Sequence, residues 1–119
     1  MIDKRLLGTW RSDPRRTLNG WVWPRGTTAK QRKLITGLIG HLTIRYTRLR
    51  IRSEYKGHKD SQPYEVIGID TDSVALMVPV DGMEERRIYH VHFEGDNHYW
   101  ITIGLQREWF RRVVDRAAE

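Results

Sequence analysis

The chain has no cysteine. That excludes a disulfide framework, a thiolate metal site and a cysteine nucleophile, and an unstapled domain fits a reducing compartment, so a cytoplasmic location is expected. Long hydrophobic runs are missing too. No stretch approaches the ~20 apolar residues of a membrane-spanning helix, and Met1-Ile2-Asp3-Lys4-Arg5-Leu6 lacks the apolar core of a secretory signal, so neither export nor a membrane span is expected. There is no Gly-rich phosphate loop, no metal-hydrolase spacing and no nucleophile beside a base. Glu54, Glu65 and Glu94 stand singly rather than as an acid-base pair. The sequence therefore names no catalytic residue and no cofactor. Internal repeats and low-complexity segments are also absent.

What is present points to one folded unit. With 119 residues, 39% of them hydrophobic, and five Trp, five Tyr and two Phe spread along its length, the chain matches the size and composition of a single domain over 1–119 and not a disordered one. The net charge of +6 hides an asymmetry: residues 1–60 hold 15 Lys and Arg against 4 acids, whereas residues 61–119 hold 6 against 11. Such a split suits an acidic partner (nucleic acid or anionic lipid), a homo-oligomer in which opposite halves meet, or simply a solvated surface.

The patterning along the chain is mainly β. Leu6 to Ser12 reads as a first strand stopped by Asp13-Pro14, followed by a connecting segment in which Trp21 and Trp23 share one face of an extended piece. Thr28 is a candidate N-cap for a helix over about 28–39, where Leu34, Ile35, Leu38 and Ile39 recur at helical spacing and Gly40 suggests the end. From His41 the period becomes two. The phase slips at Thr47, which fits either a bulge in one long strand or a tight turn between two short ones. Lys56 to Pro63 reads as a polar loop. Tyr64 to Ile69 and Ser73 to Val80 form a hairpin about Asp70-Thr71-Asp72, and Asp81-Gly82 signals another turn. Ile88 to Glu94, His98 to Ile103 and Gln106 to Val114 complete a set of short antiparallel strands that should close as a barrel or sandwich.

Two motifs carry a family resemblance. Leu7-Gly8-Thr9-Trp10 resembles the Gly-x-Trp start of the first strand in lipocalins and fatty-acid-binding proteins, the calycin group. Arg107-Glu108-Trp109-Phe110-Arg111-Arg112-Val113 resembles the basic-aromatic closing strand of that group, in which an Arg packs across the Trp and an Arg-x-Tyr pair holds a ligand carboxylate. The resemblance implies a small antiparallel meander barrel with one short helix between the first and second strands, binding a small apolar or anionic molecule in or at the mouth of the barrel. The segment 28–39 would be its lid or plug. It also implies Trp10, Arg107, Trp109 and Arg111 as ligand-contacting residues, although Trp10 can equally be core with an arginine stacked on it. This chain is shorter than a typical calycin and has Trp109 where the fatty-acid binders have Tyr, so a barrel filled by its own side chains is the competing expectation.

Two further constellations carry chemistry. In a strand His90, His92 and Glu94 face one way, and a three-residue turn at Gly95-Asp96-Asn97 would pair Glu94 with His98 and His92 with Trp100. Imidazoles two residues apart can chelate zinc, and His98 is a candidate third ligand, or one His could hold haem as in the nitrobindin relatives of lipocalins. Polar histidines on a solvated sheet face are the commoner outcome of such a pattern, and no metal is favoured. Arg45, Arg48, Arg50 and Arg52, with Lys30, Arg32 and Lys33 and the nearby Trp21, Trp23, Tyr46 and Tyr55, could make a phosphate-binding and stacking surface for nucleic acid, or a soluble outward face. A carrier barrel, a basic nucleic-acid module and a protein-interaction or self-assembly domain are the three functional expectations.

Overall fold

The computed structural model of the protein describes residues 1–79 and 84–114. Its strands are β1 (Gly8–Ser12), β2 (Leu42–Tyr46), β3 (Arg50–Tyr55), β4 (His58–Pro63), β5 (Glu65–Ile69), β6 (Ser73–Pro79), β7 (Arg86–Glu94), β8 (His98–Ile103) and β9 (Gln106–Val113). Two helices, α1 (Pro14–Asn19) and α2 (Ala29–Leu38), lie between β1 and β2. The nine strands form one antiparallel sheet in the order β4-β3-β2-β1-β9-β8-β7-β6-β5. The two edges, β4 and β5, are consecutive in sequence, and β4 comes against β6, so the sheet curls into a nearly closed barrel.

Period-two alternation decides the inner face. Trp10, Tyr46, Val74, Leu76, Val91, Tyr99 and Phe110 are buried together, each strand giving every second residue to the interior. Burying each of these large side chains contributes about 1.5–3 kcal/mol. Trp10 packs edge-on to Tyr99 at 4.7 Å, and Tyr99 stacks on Phe110 at 4.8 Å. The Tyr46 and Tyr99 hydroxyls meet inside this layer, 3.0 Å apart.

The N-terminal segment closes one end of the barrel. Leu6 is fully buried, and its carbonyl accepts a hydrogen bond from the Trp10 indole N–H at 2.8 Å. Arg5 forks onto the Asp3 carboxylate at 2.7 Å, donates to the carbonyl of Asp70 in the β5–β6 turn, and lies 4.7 Å over the Phe93 ring. Its guanidinium hydrogen bond holds the Asp3 carboxyl below the ordinary carboxylate range.

Two local readings change in the structure, and one that stood open is decided. Asp13-Pro14 ends β1, but it also starts a helix: the Asp13 side chain accepts from the Arg16 amide, and Pro14 occupies the first turn, where its missing N–H costs nothing. The segment 56–63 is a strand and not a loop. Lys56 (φ 48°) and Gly57 (φ 83°) make a two-residue turn of left-handed residues between Tyr55 and His58, and β4 is an almost wholly exposed polar edge, which leaves no hydrophobic alternation to read. The slip at Thr47 is a tight turn between two strands: the Thr47 Oγ1 accepts from the Leu49 and Arg50 amides, and the Thr47 amide donates to the Arg50 carbonyl. α2 stands over 29–38, with Thr28 and Gln31 forming a reciprocal capping box. The Asp81-Gly82 turn lies outside the described residues.

Candidate functional site

The barrel interior is filled at one end and hollow at the other. Above the layer of Trp10, Tyr99 and Phe110, a cavity of about 600 Å³ opens between β2, β3 and β4 on one side and β6 to β9 on the other. Leu42, Ile44, Ile51, Leu76, Val91 and Ile101 give it mostly apolar walls. Its charged groups among the described residues are Asp60 from β4, Glu108 from β9 and Arg87 from β7, and its neutral polar groups include Gln62, Ser53, Thr102, Tyr46, Tyr89 and Tyr99. The volume falls within the range of small-molecule sites, as does the combination of apolar walls with a few polar groups.

Glu108 is the unusual wall residue. Register places it opposite Ile101, in line with Phe110 on the inner face of β9. Its carboxylate has no hydrogen bond or ion pair among the described residues. Burial pushes its carboxyl above the ordinary Glu range, because removing water disfavours the charged form. Arg87, the only basic residue of the wall among the described residues, is exposed and donates a hydrogen bond to the Tyr89 hydroxyl at 3.4 Å.

The four residues implied by the closing-strand resemblance do not converge. Trp10 is fully buried at the closed end. Arg107, Trp109 and Arg111 alternate with inward-facing Glu108 and Phe110, and so lie on the outer face of β9. There the Arg107 guanidinium covers the Trp100 ring at 3.9 Å, Arg16 of α1 lies 5.2 Å from the Trp109 ring, and the Trp109 amide donates to the buried Thr17 hydroxyl. The arginine stacked on Trp10 is Arg112, at 4.3 Å. α2, expected as lid or plug, contributes no residue to the cavity wall. It meets the barrel through its C-terminal end, where the Tyr55 hydroxyl donates to the Leu38 carbonyl.

The histidine turn forms in the expected register, Glu94 opposite His98 and His92 opposite Trp100. His92 lies flat on Trp100, with ring centres 3.9 Å apart at 10°, and His90 lies 4.2 Å from His92. His98 instead turns towards Asp13, at 3.9 Å. Among the described residues no group of three or more His, Asp or Glu side chains gathers where a metal ion could be held. Burial, with the charges of His90 and Arg107 adding to it, holds the His92 ring below the ordinary histidine range.

Sequence reasoning missed the cavity residues Glu108, Asp60, Gln62 and Arg87. For Glu108 the signal was legible, since an acid shares the alternation phase of Phe110. Asp60 and Gln62 lie on the strand taken for a loop. Comparison with protein-family models, with curated proteins and with solved structures returns no match to this chain.

Proposed function

We propose that the protein is a small calycin-like binding barrel that takes up a small, mainly apolar molecule in its interior. The observation that carries this reading is the roughly 600 Å³ cavity with apolar walls and one open end. The Gly-x-Trp start, whose Trp10 plugs one end under an arginine, supports the same reading. Glu108 and Asp60 in the wall favour a ligand that brings a hydrogen-bond donor inward, and disfavour an anionic head group buried between them. Any anionic group of the ligand belongs at the mouth, beside Arg87.

Native mass spectrometry beside denaturing mass spectrometry of the freshly purified protein tests for a retained small molecule. Titration with an apolar fluorophore tests the cavity itself. The wild type should bind the fluorophore one to one, and Ile101→Trp, which fills the cavity, should abolish uptake while retaining cooperative unfolding. A wild type that takes up no apolar probe, or a filled variant that takes it up equally well, overturns the proposal.

A further inference from the structure

The outer face of the barrel beside the histidine turn, where Arg111 pairs with His98, carries a feature that the interior site does not use. Strand register sets Arg111 of β9 directly opposite Arg11 of β1, and Arg45 of β2 directly opposite Arg52 of β3. Arg11 and Arg45 are diagonal neighbours on β1 and β2, because Arg11 opposes Thr43 and Arg45 opposes Thr9. The four arginines thus form one row across four adjacent strands, with about 5 Å between the directly opposed residues of each pair and about 7–8 Å across the diagonal between Arg11 and Arg45. All four are exposed, and none makes an ion pair or a side-chain hydrogen bond with another described residue. The acid of β3 on this face, Glu54, stands opposite Lys59.

Like charges directly opposite on neighbouring strands destabilise a sheet, so two consecutive Arg–Arg pairs are an arrangement that folding alone disfavours. An anion lying along the row removes that repulsion. Hydroxyls accompany the guanidinium groups: Thr43 opposes Arg11, Thr9 opposes Arg45, and Ser61 opposes Arg52. Thr9, Thr43, Arg45, Arg52, Lys59 and Ser61 line an open groove of about 520 Å³ there, together with Ser53 and the acids Glu54 and Asp60. Guanidinium forks interleaved with Ser and Thr hydroxyls are the donor set that meets phosphate oxygens. Among the described residues the groove wall has no apolar side chain, which sets it apart from surfaces that insert into a bilayer. No described residue of the wall is aromatic either, so those residues offer no platform for base stacking.

We infer that the Arg111–Arg11–Arg45–Arg52 row binds the phosphate backbone of a nucleic acid without reading its sequence. None of the four arginines lines the barrel cavity, so either site can exist without the other.

Fluorescence anisotropy with labelled oligonucleotides of unrelated sequence tests it, across salt from about 50 to 200 mM. The logarithm of affinity should fall linearly with the logarithm of salt, with a slope approaching about −3 to −4 for four neutralised phosphates, and should change little with sequence. Arg45→Gln with Arg52→Gln should weaken binding at least about tenfold and roughly halve the slope. It should leave the melting temperature unchanged or higher, since it removes a repelling pair. Lys30→Gln with Lys33→Gln, which removes the same charge from α2, should leave affinity within about twofold if the row is the site. Three results overturn the inference: no binding at the lowest salt, equal losses in both variants, or binding to polyglutamate or anionic vesicles without binding to nucleic acid.

Discussion

The Arg112 guanidinium lies 4.3 Å over the Trp10 ring and at the same time donates to the carbonyls of Arg5, Leu7 and Asp96. One side chain on the last strand thereby ties the first strand, the N-terminal segment and the β7–β8 turn into the closed end of the barrel. Burial pushes the Arg112 group below the ordinary arginine range, and the nearby Asp96 works against that shift.

Arg112→Met keeps most of the stem but removes the stacking charge and three donors. It is expected to cost about 2–4 kcal/mol, which corresponds to a fall in melting temperature of roughly 8–20 °C for a domain of this size. Differential scanning calorimetry measures it, and a change below about 3 °C would show that the closed end does not depend on this arginine.

Tyr46 and Tyr99 share one hydrogen bond in a fully apolar layer, and burial raises both phenols well above the ordinary tyrosine range. Removing one hydroxyl leaves the other unsatisfied, so Tyr46→Phe and Tyr99→Phe should each cost about 1–2 kcal/mol. The double variant should lose less than the sum of the two. A double-mutant cycle by urea denaturation reads the coupling, and additive losses would mean that the bond contributes nothing.

Glu108 binds its proton more tightly in the folded chain than in the unfolded one, because the barrel interior desolvates it. Stability from this group is complete below the ordinary Glu value of 4.5 and is lost as pH rises through the raised folded value. Glu108→Gln should therefore melt higher than the wild type at neutral pH, with the difference closing below the unfolded carboxyl range. Melting curves across pH check this, and a lower melting point for the variant at neutral pH would indicate that the carboxylate is paired.

His92 behaves oppositely. Its folded value lies below the ordinary 6.5, so its contribution is present above that value and lost as pH falls through the folded one. NMR titration of the ring should give a midpoint under 6.5, and His90→Gln or Arg107→Gln should move it upwards by removing a neighbouring charge. A midpoint unaffected by either substitution would leave burial as the sole cause.

Much of the fold was legible because strands announce themselves by alternation. The register of the turn at 95–97 followed from placing three turn residues between Glu94 and His98, and the structure has that register. α2 followed from its cap and spacing. α1 and β4 did not. A six-residue helix is too short to show a period, and an exposed edge strand has no buried face to make polar and apolar residues alternate.

By itself the sequence determined what depends on local periodicity and composition: a cysteine-free antiparallel meander, the shared face of Glu108, Phe110 and Arg112, and the excess of base in its first half. Only the tertiary structure decided which strands meet across the barrel. That is why Arg112 and not Arg107 or Arg111 covers Trp10, why Glu108 and Asp60 face one cavity, and why arginines from four separate strands stand in a row. Each of these relationships joins residues far apart in the chain, and strand order and barrel closure, which no local pattern encodes, bring them together.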